Sequence, residues 1–384
     1  MPRGKRTHRR TNRRCVVWTM PGAMLKIILV VGARPNFPKV APIMLEMAKH
    51  PHRLRQVLVH TGQHYDYDMS RVFFEDLEMP PPDELLSVGS GSHAVQTAKV
   101  MTSFETAAVK HRPDAVVVVG DVNSTLACAL VCSKLGVPVA HVEAGLRSRD
   151  RTMPEEINRL LTDQLSEMLF TPSRDASDNL LAEGIAPARI HFVGNVMIDT
   201  VVRVLPKARQ RPVLKDLGLG ERGFLLATLH RPSNVDDPAA LRAIIEGLVT
   251  VSRDTQVIFP VHPRTRSRIQ ALGVKLPNSS LRLMPPFGYL DFLALMSTAS
   301  LVVTDSGGVQ EETTFLGVQC LTVRPNTERP VTITEGTNRL VGSGYDELVK
   351  GIRQSLSLGH GVRPPPELWD GHAASRIVKS FLDR

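Results

Sequence analysis

Apolar residues in this chain fall into short, nearly continuous runs, separated by longer segments with helical spacing. Lys26–Val31, Arg55–His60, Ala115–Val119 and Val137–Val142 read as strands, with a weaker one at Glu167–Thr171. Helical patterns lie between them, as at Val40–Lys49, His93–His111 and Ser124–Leu135. A second series of strands follows at Phe224–Thr228, Gln256–Val261, Leu281–Met284, Leu301–Thr304 and Cys320–Val323. Runs that are apolar on both faces belong to parallel strands covered by helices on each side. The pattern predicts an α/β protein with two Rossmann-like domains of about five strands each, facing a central cleft. We place these domains at residues 24–200 and 201–365, with a final helical segment, 366–384, packing back on the first. The change of domain falls near Val193–Arg211, where an apolar helix gives way to Pro- and Arg-rich sequence.

Polar residues cluster where the strands end. Val31 leads into Gly32-Ala33-Arg34-Pro35, His60 into Thr61-Gly62-Gln63-His64, Val119 into Gly120-Asp121 and Val142 into Glu143-Ala144-Gly145-Leu146-Arg147. In the second half Thr228 leads to His230-Arg231 and Val261 to His262-Pro263-Arg264. Ligands of open α/β sheets bind outside these carboxyl ends. Acids concentrated in one half and bases in the other make a shared site the better reading of the six loops. The strand ending at Thr304 runs into Asp305-Ser306-Gly307-Gly308 and a helix expected from Gln310 to Leu316. Strand, glycine turn and helix start together aim free backbone N–H groups at an anion. Gly307 and Gly308 are expected to adopt positive φ and to admit a ligand close to the backbone. Ser306 either caps the helix or bonds a phosphate, and Glu311 and Glu312 either favour the helix dipole or reach ribose hydroxyls.

Composition narrows the partners. A length of 384 residues with 42% hydrophobic content suits two globular domains, and no run approaches the ~18 apolar residues of a membrane span. The net charge of +9 is concentrated in a basic head, residues 1–23, where Arg3, Lys5, Arg6, Arg9, Arg10, Arg13 and Arg14 face no acid. Setting those seven charges aside leaves the body near +2, without the basic signature of a nucleic-acid binder. The head lacks the apolar core of a secretory signal and is expected to lie outside the folded domains. Cys15 lies in the head, Cys320 in a strand, and Cys128 and Cys132 fall four apart on a helix, as buried thiols of a reducing cytoplasm would. No metal-ligand constellation and no dinucleotide-type glycine motif is visible, so neither metal nor cofactor is expected.

Taken together, the loops resemble those of the non-hydrolysing UDP-N-acetylglucosamine 2-epimerases. The matching segments are Gly32–Pro35, Thr61–His64, Gly120-Asp121, His141–Arg147, Pro154–Arg159, His230-Arg231, the Ser-Gly-Gly loop, Thr327–Pro330 and Gly336–Asn338. The resemblance runs from about Met24 to beyond Gly342. It implies a GT-B-like architecture, a homodimer, and reversible interconversion of UDP-N-acetylglucosamine and UDP-N-acetylmannosamine through elimination and re-addition of UDP, feeding cell-surface polysaccharide.

The same resemblance implies roles. Asp121, Glu143 and Glu155 match the family's catalytic carboxylates, with His230 beside them. Arg34, His230, Phe292, Ser306, Gly307, Gly308, Glu312 and Arg329 would form the nucleotide-sugar site, with Phe292 stacking on uracil. Gln63, His64 and Arg71 would belong to a second, regulatory nucleotide-sugar site. One departure is Ser233, which stands where the family often has an acid. Carbon 2 of such a sugar is a poor carbon acid, so the departing diphosphate must be stabilised as its charge develops. Inversion needs proton exchange at two faces, and burial or mutual repulsion is expected to raise one of the three carboxyls. A GT-B glycosyltransferase, a catalytically silent sensor and a hydrolysing epimerase remain open at this stage, as does the identity of the sugar.

Overall fold

The computed structural model describes residues 23–62, 74–221, 223–277, 280–358 and 363–384. Residues 1–22 of the basic head lie outside them, as do Gln63, His64 and Arg71. The first sheet contains β1 (Leu25–Val31), β2 (Leu54–His60), β3 (Glu84–Leu85), β4 (Ala115–Val119), β5 (Val139–Val142), β6 (Met168–Thr171) and β7 (Ile190–Phe192). The second contains β8 (Phe224–Thr228), β9 (Gln256–Pro260), β10 (Leu281–Met284), β11 (Leu301–Thr304), β12 (Cys320–Val323) and β13 (Asn338–Val341). All pairings are parallel, in the orders β3-β2-β1-β4-β5-β6-β7 and β10-β9-β8-β11-β12-β13. The architecture is α/β, with two GT-B-like parallel sheets.

The expected five strands per sheet become seven and six because β3, β7 and β13 were not legible in the sequence. Each is a short edge strand with half-exposed positions, so it carries no continuous apolar run. Other differences lie at element ends. The first helix spans Phe37–Met47 rather than beginning at Val40, because Pro38 sits in the opening turn, where no N–H is required. Val137 stays out of β5 because its N–H closes the preceding helix, donating to Cys132 O at 2.9 Å.

Side chains of β1 alternate between two cores. Ile27, Leu29 and Val31 pack with Phe37, Val40, Val117 and Val119, whereas Ile28 and Val30 pack with Phe104, Val116, Val118 and Cys128. Both sheets reverse their strand order beside the first strand, which opens a crevice between β1 and β4 and another between β8 and β11. Such switch points are where open sheets bind ligands. The two sheets are tied by the Val196–Ala208 helix, which touches Phe37–Met47 on one side and the Tyr289–Thr298 and Gly307–Leu316 helices on the other.

The C-terminal segment returns to the first domain. Ile377, Val378 and Phe381 of the Ala373–Leu382 helix are buried with Phe37, Val40 and Phe170. Asp199 on the bridging helix accepts from Ala373 N at 3.2 Å and Ala374 N at 2.7 Å, closing the start of that last helix. Trp369 is 2% exposed and donates from Nε1 to Pro172 O at 3.0 Å. Phe381→Ala should therefore cost about 3–5 kcal/mol of stability, the range for deleting a buried aromatic ring. Chemical denaturation of the two proteins would show it, and a loss under about 1 kcal/mol would mean the helix is loosely docked.

Candidate active site

A cavity of about 790 Å³ opens between the two switch points. From the first domain it is lined by Arg34 after β1, Asp121 after β4, and Glu155 on the first turn of the Pro154–Leu165 helix. From the second it is lined by His230 after β8, Phe292, the Ser306–Gly308 turn after β11, Glu312 and Arg329. Its size is within the range of about 300–1,000 Å³ for small-molecule sites. Glu143 is the exception among the described residues that the sequence singled out. It stands one layer behind the wall, paired with Lys39 and Arg329.

The loops of the first domain are held by buried bonds. Asn36 Oδ1 accepts from Gly32 N and Ala33 N at 3.0 Å each, and its amide donates to Val119 O at 3.1 Å, tying the ends of β1 and β4. Gly32 is needed for that closeness, since a Cβ there would sit 2.5 Å from Ser124 Oγ. His141 is fully buried, with Nε2 2.9 Å from Gly120 O and Nδ1 2.7 Å from Asp163 Oδ1. Asp163 Oδ2 in turn accepts from Gly145 N at 3.1 Å. These contacts fix the turn that presents Asp121 and the bend at Glu143, whose φ of 74° is in the left-handed region. A non-glycine residue held there stores strain, a common mark of functional sites.

In the second domain Asp305 organises the wall. It is fully buried and accepts from His230 N at 3.1 Å, Arg231 N at 3.0 Å and Asn234 Nδ2 at 3.1 Å. Burial favours its neutral form, but His230 and these donors outweigh burial and hold it below the usual carboxylate range. Asp305 Oδ1 also lies 2.9 Å from His230 Nδ1, so the ionised carboxylate favours the ring orientation that carries a proton on Nδ1. The helix beyond it begins at Gly307, not Gln310, with Ser306 as N-cap, which puts Glu311 and Glu312 beyond the first turn. Neither glycine has positive φ, contrary to expectation. Gly307 is required by packing instead: a Cβ would lie 2.4 Å from Arg329 Nη1.

Arg329 is the centre of the charge arrangement. Its guanidinium bonds Glu143 and Glu328, and its Nε lies 2.9 Å from Glu311 Oε1. Arg159, buried behind Asp121, donates to Asp121 Oδ2 from Nε at 3.1 Å and Nη2 at 2.8 Å and comes within 3.7 Å of Glu328. Arg324 donates to Glu328 Oε2 at 2.7 Å. Burial pushes the Asp121 carboxyl up, but Arg159, Lys39 and Arg329 outweigh it, so Asp121 is lowered rather than raised. Burial is likewise outweighed at Glu328, where Arg329 and Arg324 hold the carboxyl well below its ordinary value. On the Gly307–Leu316 helix two acids are pushed up. Burial takes Glu311 to about 7 against the pull of Arg329, and takes Glu312 to about 7 despite the 2.6 Å bond from Tyr289 Oη.

A family model described as UDP-N-acetylglucosamine 2-epimerase matches residues 46–382. The chain belongs to this family. A UDP-N-acetylglucosamine 2-epimerase of Methanocaldococcus jannaschii is 42% identical over 364 residues, 92% of this chain and 98% of the relative. A UDP-2,3-diacetamido-2,3-dideoxy-D-glucuronate 2-epimerase of Pseudomonas aeruginosa is 43% identical over 362 residues, 93% and 99% of the two chains. The crystal structure of the M. jannaschii epimerase in complex with UDP-GlcNAc and UDP superposes with a TM-score of 0.87 at 41% identity, covering 94% of this chain and 100% of that one.

Several site residues escaped sequence reasoning. Lys39 lines the cavity from a largely apolar helix and is 6% exposed, so a lysine on a buried helical face was the available signal. His93 also lines it and accepts from Asn123 Nδ2 at 3.0 Å. Tyr289 and Glu328 are legible only through their partners in space. The raised Glu312 gives a pH test. Its unfolded carboxyl ionises near 4.5 and its folded one near 7, so the folded state is penalised increasingly as pH rises through that window. Glu312→Gln should gain melting temperature relative to the parent between pH 4.5 and 7 and hold a constant advantage above. Thermal melts across pH 4 to 9 test this, and a pH-independent difference would refute it.

Proposed function

We propose that this chain is a non-hydrolysing epimerase that interconverts the gluco and manno forms of a UDP-N-acetyl sugar at carbon 2. The observation that carries the reading is one cavity lined both by anion-binding groups and by acid–base groups. The N-terminus of the Gly307–Leu316 helix, with Ser306, Arg34 and Arg329, suits the diphosphate, because backbone N–H groups and guanidinium forks both complement phosphate oxygens. Phe292 offers a face to uracil, and Glu312 an acceptor to the ribose. Stabilised there, the diphosphate can leave carbon 1 as a proton leaves carbon 2. Its return after reprotonation on the opposite face completes the inversion.

Asp121, Glu155 and His230 stand on the cavity wall for the proton transfers. Asp305 orients His230, and Arg159 keeps Asp121 ionised and ready to accept a proton. Glu143 acts from behind Lys39 and Arg329, so its part follows a movement of those two cations when ligand arrives. The P. aeruginosa relative, named for a diacetamido-glucuronate sugar, favours a second substrate of the same class. We further place the enzyme in the cytoplasm, as a homodimer serving cell-surface polysaccharide. The buried thiols Cys128, Cys132 and Cys320 suit a reducing compartment. Val95, Ile157 and Leu161, exposed on neighbouring helices, offer an apolar face to a second copy.

Proton NMR in deuterated water with each UDP-sugar tests the reading. We expect the manno epimer, deuterium at carbon 2 and no free sugar. Accumulation of free N-acetylmannosamine would establish the hydrolysing alternative. Asp121→Asn should lower turnover by about 10²–10⁴-fold while UDP affinity stays within a few-fold, as for removal of a general acid or base. Calorimetric titration beside turnover checks that split, and equal losses of both would move Asp121 to the binding set.

A further inference from the structure

The carboxyl of Glu311 is built into the site, yet neither the fold nor the proposed chemistry has given it a task. It is 1% exposed, on the helix whose first turn faces the cavity. Its Oε1 lies 2.9 Å from Arg329 Nε, but that N–H is not aimed at it, and Oε2 is buried without a hydrogen-bond partner. Arg329 meanwhile bonds Glu143 from the first domain and Glu328 from its own loop. Three buried carboxyls thus converge on one guanidinium. The charged groups facing Glu311 are Arg329 and Glu328 from the loop before the Val331–Thr334 turn, Glu143 at the end of β5 and Lys39 from the Phe37–Met47 helix. On its own helix Glu312 is the adjoining acid, coupled to it by charge. Glu143 and Glu328 are each held by a second cation, Lys39 and Arg324 respectively. Glu311 has Arg329 alone in direct contact.

That asymmetry decides which acid yields when another anion arrives. A diphosphate at the Ser306–Gly308 turn adds negative charge beside Arg329 and competes for its guanidinium. The carboxyl with a single, poorly aligned cation is then the least costly to neutralise. We propose that Glu311 is a positioning residue for Arg329 that takes up a proton from solvent when a diphosphate enters the cavity, releasing the guanidinium to the ligand. The inference rests on the reading of the cavity as a UDP site. Its proton affinity is already suitable, since burial puts Glu311 near 7. The sign follows: added negative charge raises that affinity, so UDP binding takes up protons near neutrality and UDP affinity falls as pH rises past it.

Calorimetric titration with UDP at pH 7, in buffers of different ionisation enthalpy, reads the number of protons exchanged. We expect the parent protein to take up roughly half a proton more per UDP than Glu311→Gln, because about half of Glu311 is already protonated there. Protons exchanged by UDP itself cancel in that difference. In the parent titrated with a UDP-sugar, whose diphosphate diester has no proton of its own to exchange in this range, the uptake should vanish below about pH 5.5, where Glu311 is neutral before the ligand arrives. This second arm needs no variant and stands even if Glu311→Gln fails to fold. Equal proton counts in the two proteins, or an uptake that persists unchanged at pH 5.5, would overturn the proposal. UDP binding without net uptake leaves the UDP site intact and sinks this inference alone. Failure of UDP to bind overturns both.

Discussion

The buried ion network between the two sheets is the constraint on which the site depends. Arg329 of the second domain is held by Glu143 of the first, and Arg159 of the first stands between Asp121 and Glu328 of the second. Charges taken out of water are costly unless every one is matched. The network meets that demand only when both domains contribute, so it couples their relative placement to the ionisation of the groups that face the ligand. Such a cluster adds little to stability compared with apolar packing of equal volume, but it penalises misplacement heavily. The network thereby adds a polar constraint to the apolar one that the Val196–Ala208 helix supplies by packing on both domains.

Two separate sheets that reverse their strand order at the same point give that network its location. In each, the crevice beside the first strand collects the loops that follow β1 and β4, or β8 and β11. Asn36 bridges the first pair of strand ends; in the second sheet Asn234, in the loop after β8, donates to Asp305 Oδ2 at 3.1 Å, just after β11, and to Val323 O at 3.0 Å, at the end of β12. Short side-chain amides are well suited to this, because one group both donates and accepts across a gap between strands.

Much of this was legible in the sequence, for physical reasons. Central strands such as Ala115–Val119 and Leu301–Thr304 are buried on both faces and announce themselves as apolar runs. Their ends carry polar residues in loop after loop, so Arg34, Asp121, His230 and Ser306 could be picked out and all line one cavity. Edge strands could not be read, because half their surface is solvated. Nor could the roles of Lys39 and Glu328, which depend on partners more than a hundred residues away or on loop conformation. The conformation of Gly307 was misjudged for a similar reason: the crowding comes from Arg329, a contact that spacing along the chain does not encode.

Trp369 gives the molecule a built-in optical probe. The chain has two tryptophans, Trp18 in the basic head and Trp369 in the returning C-terminal segment. The indole of Trp369 is shielded from water and bonded to Pro172 O, in a cluster with Ile198 of the bridging helix and Val331, which follows Arg329 and Pro330. An indole's emission shifts to longer wavelength when water reaches it. In a protein trimmed of its head, the emission colour therefore records whether the tail, the bridging helix and the loop carrying Arg329 are packed together.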